Sequence, residues 1–310
     1  MKFTNNHELP DYLERWLKFD DYDYVEGAIS ATGLIAPVRA AVLKKLFFDK
    51  IEIDLSDMIA RRLGTAIHNS FETIPMPDIT KEQRVLTKVN GQMISGKYDM
   101  LKKLDDELSR LIDIKTTSVW NAIYGSSLEH WKLQLSIYRY ILQHRGWTLI
   151  DGEFVKRKAQ RIDRHAEVCL VFTDWKRSEA KTNPTYPKIR VGSIPMDLFG
   201  NKFIENYIIE RLNLIEEASK LPLDELPYCT DEELWIKAPK FAVKKEGNKR
   251  ASKVCNTLEE AKEEVKKLGD KYEIEERKSL AGACNYCDAR SVCSQCKMLA
   301  ASGMLEGAEE

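Results

Sequence analysis

Hydrophobic positions recur first at helical spacing and then at alternating spacing along this chain. The segment ISATGLIAPVRAAVLKKLFF opens with turn formers, and its later apolar positions predict a helix over Ala36–Phe48. A second helix is predicted from Leu55 to Phe71, where Met58, Ile59, Leu63, Ala66 and Ile67 recur at helical intervals. RVLTKV then alternates as a half-buried strand does. Asn90-Gly91 follows, a strong short hairpin signal, and QMISGKYDMLKKL is the return strand. Asp105 and Asp106 mark another turn before a third strand, SRLIDIKTT. SLEHWKLQLSIYRYILQH reads as a helix with Leu128, Trp131, Leu135, Tyr138 and Leu142 along one face. TLIDGEFVKR and AEVCLVFTDW read as further strands, KRSEAKTNPTYPKIRVGS as a polar exposed loop, and Lys202–Leu221 as a helix.

A small module closes the chain. FAVKK and RASKVC flank Gly247-Asn248 as a hairpin, and Thr257 with Glu260 forms a capping-box pattern opening LEEAKEEVKKLG. YEIEER resembles one more strand, and GMLEGAEE reads as a frayed tail. This order predicts an α/β core with a central mixed sheet flanked by helices. The expected division is a core domain over residues 1–225 and a small C-terminal α+β accessory module with a cysteine cluster over 226–310.

Composition narrows the partners. The 310 residues are 43% hydrophobic and 31% charged, with a net charge of −1, so any grip on nucleic acid must come from local patches. Lys44, Lys45, Arg61 and Arg62 flank the first two helices, and Lys156, Arg157, Lys158, Arg161 and Arg164 form a denser group. Each group can bind phosphates or simply be a solvated face. Trp120 is a candidate for stacking on unpaired bases, and Trp131 fits better in the core. No base-reading motif such as a helix-turn-helix is present, so little sequence specificity is expected. No apolar run of about 18 residues occurs, and the N-terminus lacks signal-peptide form, so a cytoplasmic location without membrane partners is expected.

The candidate chemistry lies on the strands. Asp99 sits in one strand, and Asp113-Ile114-Lys115 sits in the next. Asp113 and Lys115, two apart, share a face. Two convergent carboxylates suit Mg²⁺ or Mn²⁺, which prefer oxygen ligands, and the Ile114 carbonyl can add another. Such an ion polarises a phosphodiester and acidifies a bound water, while Lys115 stabilises charge developing on the phosphate. An Asp-x-Lys triplet is by itself common on solvated strands. Here it ends the apolar run LIDIK, with Asp99 one strand earlier and His68 on the preceding helix. Glu72 and Glu82 are further carboxylates for which solvent exposure is the expectation.

Gly64-Thr65-Ala66-Ile67-His68, Gly96-Lys97-Tyr98-Asp99, Asp113-Ile114-Lys115 and Gln134-x-x-x-Tyr138 form an ordered set. The set resembles the RecB-type branch of the PD-(D/E)XK nucleases, which includes phage exonucleases and CRISPR-associated iron–sulfur adaptation nucleases. The resemblance spans about residues 28–175 and continues more weakly toward the C-terminus. It implies a restriction-endonuclease-like core. It also implies that His68, Asp99 and Asp113 hold the metal, that Lys115 is catalytic, and that Gln134 and Tyr138 support the site or line the DNA path.

Seven cysteines are present, and four of them form Cys284-x2-Cys287-x5-Cys293-x2-Cys296, a strong metal-site spacing. Four thiolates suit structural Zn²⁺ or a [4Fe–4S] cluster, and the two short pairs by themselves lean toward zinc. The resemblance leans toward the cluster, through Cys284, Cys287 and Cys293. Its nucleases commonly place the fourth ligand upstream of the nuclease motifs, where this chain has no cysteine before Cys169. Cys229 or Cys296 must then complete the set. The expected function is a metal-dependent DNA exonuclease, phage-type, acting in recombination, replication or DNA processing on single strands or free ends, beside a recombination or replication protein partner. The alternatives are a structure-selective endonuclease or adaptation-type nuclease, and a non-catalytic nucleic-acid-binding protein.

Overall fold

The computed structural model describes residues 1–20 and 23–305, and it divides into two compact units. One comprises residues 3–36 and 54–217; the other comprises 1–2, 37–53 and 218–310. After a helix over Asp11–Lys18, the larger unit has strand β1 (Ala28–Ser30) and the short helix α1 (Ala31–Ile35), capped by Ser30, whose Oγ accepts from the Gly33 N–H. Helix α2 (Ile59–Glu72) leads into a meander of β2 (Ile79–Val89), β3 (Gln92–Lys103) and β4 (Leu108–Thr117). Helices α3 (Val119–Tyr124) and α4 (Leu128–Gln143) follow, then β5 (Gly146–Ile150), β6 (Glu153–Arg157), β7 (Arg161–Ile162) and β8 (His165–Phe172). Helix α5 (Arg177–Thr182), β9 (Val191–Asp197) and α6 (Asn201–Ala218) complete the unit.

Among the described residues these strands form one nine-stranded mixed sheet, in the order β9-β8-β4-β3-β2-β5-β6, with β1 also on β3 and β7 also on β4. Strand β8 runs parallel to β4, and β1 runs parallel to β3. The expected helical face of α4 packs here: Trp131, Leu135, Tyr138 and Leu142 are buried in one core with Ile94, Leu111 and Val168. Gly96 on β3 makes that approach possible, because a Cβ there would stand 2.6 Å from Tyr138 Cδ1. No helix among the described residues is long and apolar enough to cross a membrane.

Three sequence expectations need correction. First, TLIDGEFVKR is a hairpin, β5 and β6, turned at Asp151 (φ 49°) and Gly152 (φ 82°), the same geometry as Asn90 (48°) and Gly91 (81°). Consecutive left-handed residues match the twist of paired strands, so Asp-Gly was a readable signal. Second, the predicted apolar stripe is buried only in part, with Met58 buried and Ile67 half-buried. Ile59 and Leu63 are exposed, and Arg62 is buried instead, its Nε donating to the Leu17 carbonyl. The helix meets the sheet further on, where the Cβ position of Gly64 lies 3.3 Å from Thr116 Oγ1. Third, the supposed exposed loop holds α5 and the start of β9, and buries Tyr186, whose hydroxyl accepts from the Lys176 N–H.

In the smaller unit a helix spans Val38–Phe47, and strands β10 (Lys240–Lys245), β11 (Ala251–Cys255) and β12 (Tyr272–Arg277) form an antiparallel sheet in the order β11-β10-β12. Helix α7 (Leu258–Leu268) covers it, with Val243, Cys255 and Ala261 as the buried centre. Its cap is the expected one: Thr257 Oγ1 accepts from the Glu260 N–H, and the Glu260 carboxylate accepts from the Asn256 N–H. Helix α8 (Ser294–Ala301) ends the cysteine region. The start of the expected tail is held, since the Ala281 N–H donates to the Met304 carbonyl; residues 306–310 lie outside the described residues.

Gly146 gives a test of the sheet. A Cβ there would lie 1.9 Å from the Leu86 carbonyl oxygen, inside the β2–β5 pairing. Gly146→Ala should lower stability by about 1–3 kcal/mol, read as a lower urea midpoint. Gly192→Ala, whose Cβ would meet only the Phe172 ring at 3.7 Å, should leave the midpoint nearly unchanged.

Candidate active site

The site forms where two strands part. Pairing of β3 with β4 runs from Lys103↔Ser109 to Met100↔Ile112 and stops. Beyond it β4 stays with β8 through Thr117, while β3 stays with β2. The next rung would set Asp99 opposite Asp113. There the Ile114 N–H, freed from the β3–β4 ladder, donates to Asp99 Oδ2 at 2.6 Å, and the Ile114 carbonyl lies 3.1 Å from His68 Nε2. Side chains thus take the place of ladder bonds.

Glu82 continues the row on β2. It stands between the pairs Lys81↔Met100 and Gln83↔Tyr98, hence across from Asp99. Its φ is 48°, a left-handed backbone that is costly for a residue with a side chain. His68 Nδ1 lies 3.5 Å from Glu82 Oε1 and 3.5 Å from Asp99 Oδ1. One ligand atom from each of His68, Glu82 and Asp99 falls within 4.8 Å of the others. Lys97 Nζ, 3.2 Å from Glu82 Oε2, balances part of the charge.

Asp113 stands apart from that trio. It is 1% exposed, and Lys115 Nζ lies 2.9 Å from its Oδ2. No other donor is aligned on either carboxylate oxygen among the described residues. Lys115 Nζ also donates to Gln134 Oε1 at 3.1 Å, and Gln134 Nε2 donates to the Tyr138 hydroxyl at 2.7 Å. Strand β4 and helix α4 are therefore joined through the lysine.

The electrostatics follow from burial. Desolvation raises the Asp113 pKa, and the neighbouring Asp99 charge adds to this while Lys115 opposes it. Desolvation works against the Lys115 ammonium, but the charges of Asp113 and Asp99 outweigh it and raise its pKa. Burial likewise opposes protonation of His68, yet hydrogen bonds and charge from Asp99 and Glu82 hold its pKa up at about 10.

Of the expected site residues, the structure gathers His68, Asp99 and Ile114 on one side of the notch, and Asp113, Lys115, Gln134 and Tyr138 on the other. Glu82 corrects the sequence reading: its side chain is only 13% exposed and faces His68, because the hairpin register sets it against Asp99. Counting back from Asn90-Gly91 would have found it. Glu72 is exposed, as expected. Several candidate phosphate-binding cations are engaged elsewhere. Arg62 is buried, Arg157 donates to the Ile141 and Leu142 carbonyls, and Arg161 pairs with Glu107. Trp131 is in the core, and Trp120 is 43% exposed.

A second cluster lies within the smaller unit. Burial first, then the charges of Glu233, Cys293 and Cys287, pushes the Cys229 thiol up to about 12. Burial and the neighbouring Cys296, Cys287 and Cys293 do the same to Cys284. Cys229 is brought there by Gln295, which accepts from its N–H at 2.8 Å and donates to its carbonyl at 2.9 Å. Buried Arg39 donates to Cys293 Sγ at 3.4 Å, to Ser294 Oγ at 2.7 Å and to the Leu226 carbonyl at 2.7 Å.

A hard divalent cation fits the first cluster: carboxylate and carbonyl oxygens with one imidazole, and a buried carboxylate with no donor but lysine. A family model for the PD-(D/E)XK nuclease superfamily matches residues 39–294, which span every residue of the notch. The chain belongs to that superfamily. As a member it is a metal-dependent nuclease, and its mixed sheet flanked by helices is the restriction-endonuclease-like fold. Among solved structures it is similar to one described as the crystal structure of SSO0001, with 17% identity and a TM-score of 0.44, over 65% of this chain and 84% of that one. No curated protein matches it.

The His68 shift gives a pH test. Its folded pKa lies above the unfolded value of about 6.5, so the stability it contributes is fully present below that pH and is lost as pH rises through about 10. Without divalent ions, the melting temperature should fall more between pH 6.5 and 10 in the parent protein than in His68→Ala. Parallel melting curves check this.

Proposed function

We propose that this nuclease is a Mg²⁺- or Mn²⁺-dependent DNA exonuclease of the phage type, acting in recombination, replication or DNA processing on strands with a free end. The observation that carries the reading is the buried Asp113 carboxylate, opposed only by Lys115, in a notch that also presents Asp99 and Glu82. In this reading His68, Glu82, Asp99, Asp113 and the Ile114 carbonyl hold the ion. A bound divalent cation would supply Lewis acidity to the phosphodiester and lower the pKa of the attacking water. Lys115 stabilises the negative charge that grows on the phosphate. Gln134 positions the Lys115 ammonium, and Tyr138 positions Gln134. Exonuclease action rests on the motif set shared with phage exonucleases, and the lack of a base-reading motif agrees with it.

Cleavage of end-labelled linear DNA, compared with a closed circle, tests the reading. With Mg²⁺ or Mn²⁺ the linear form should be degraded and the circle left intact; nicking of the circle would instead mark an endonuclease. Asp113→Ala and Lys115→Ala should each slow cleavage by about a hundredfold or more. Only Asp113→Ala should also weaken Mn²⁺ binding, read by calorimetry. Full activity in Asp113→Ala would overturn the site.

The same proposal makes residues 226–310 an accessory module built on a [4Fe–4S] cluster. Its ligands are Cys284, Cys287, Cys293 and either Cys229 or Cys296. Support comes from the spacing and from the Gln295 clamp that holds Cys229 among the other thiols. Such a cluster would close a long loop and so stiffen the module. Protein purified anaerobically should be brown, and separate Cys229→Ser and Cys296→Ser substitutions should lose the colour in one case only. A colourless preparation with one zinc per chain would replace the cluster with structural Zn²⁺.

A further inference from the structure

Five residues after Lys115, the larger unit exposes an aromatic stack formed by Trp120, the tryptophan already offered for base stacking, and Tyr124. Tyr124 is 75% exposed and Trp120 is 43% exposed. Their rings lie 6.1 Å apart and 20° from parallel, and Trp120 meets the edge of Tyr186 at 5.9 Å. Tyr186 is buried and so backs the stack from the core.

The platform is held rigidly. Asp174 accepts from Ser118 Oγ and from the Val119 N–H, each at 2.8 Å, which fixes the start of α3. Asn121 Nδ2 donates to Thr117 Oγ1 and to Ser127 Oγ, each at 2.9 Å, which ties both ends of α3. Its neighbours in the chain both end on the catalytic notch: β4 carries Asp113 and Lys115, and α4 returns Gln134 to Lys115. Five residues span at most about 18 Å, so a strand seated at Lys115 reaches the platform within a few nucleotides. Two stacked, exposed aromatic rings next to the site along the chain offer a flat face on which a base can stack. The Trp120–Tyr124 gap is too small to admit a third ring, and Tyr124 is largely exposed.

We propose that the outer face of Tyr124, backed by Trp120, stacks on an unpaired base of the strand whose phosphate sits at Asp113 and Lys115. This proposal rests on the nuclease reading and gives its preference for single-stranded or frayed ends a named contact. Stacking holds every base type, since each offers a flat face, and it needs the ring rather than the hydroxyl.

The test uses full-length protein in a Lys115→Ala background, so that DNA stays uncut, with single-stranded oligonucleotides carrying 2-aminopurine at successive positions. One position should be quenched on binding. Tyr124→Ala and Trp120→Ala should each abolish that quenching and weaken single-strand binding about tenfold, whereas Tyr124→Phe should keep both within about twofold. A duplex closed by hairpins at both ends should bind Tyr124→Ala as well as the parent. Circular dichroism checks folding, and Tyr124→Ala, altering an exposed side chain, carries the test if Trp120→Ala misfolds. Unchanged quenching and affinity in Tyr124→Ala would overturn the stacking proposal, as would equal losses on the closed duplex. If Tyr124→Ala binds unchanged while the protein with Lys115 intact still cuts DNA, only the stacking proposal falls. If that protein neither binds nor cuts any nucleic acid, the nuclease reading falls with it.

Discussion

The parting of β3 and β4 after Met100↔Ile112 is the constraint on which the rest of the site depends. Each strand remains gripped on its far side, β4 by β8 and β3 by β2, so the notch is an opening between two well-held edges. A parted ladder leaves backbone groups that must be satisfied. Asp99 takes the Ile114 N–H, and His68 faces the Ile114 carbonyl. The interactions that make the opening tolerable therefore also orient two of the groups that can hold an ion.

Charge is the second consequence. The row Glu82, Asp99 and Asp113 places three carboxylates close to a core, where burial disfavours like charges. Lys97, His68 and Lys115 each stand against one or more of them. The left-handed backbone at Glu82 shows the strain carried to complete the row. A divalent cation held by this row would relieve the same repulsion.

The smaller unit follows a different logic. Its sheet and helix bury Val243, Cys255 and Ala261, with Phe241, Val265, Tyr272 and Ile274 packed against them. The cysteine region is organised instead by polar contacts reaching across the chain: Arg39 to Cys293 and Ser294, and Gln295 to both backbone groups of Cys229. Burial holds the Cys229 and Cys284 thiols in their neutral forms, and a bound metal ion would favour the thiolates that ligate it.

The sequence alone determined most of the elements and which residues are offered for the chemistry. Alternation in RVLTKV, the Asn90-Gly91 turn, the α4 face and the Thr257 cap are local patterns, and local patterns act through backbone preference and period. The paired face of Asp113 and Lys115 was also legible, because strand side chains repeat every two residues. Tertiary structure decided what distance along the chain conceals. Glu82 looked solvent-exposed until the register set it against Asp99, and Arg62 looked free until Leu17 covered it. The α2 stripe of Ile59 and Leu63 stayed outside because the helix meets the sheet further along, near Gly64 and His68. Burial and charge pairing are properties of what comes to lie alongside, and a periodic pattern specifies which face seeks a partner but not whether one arrives.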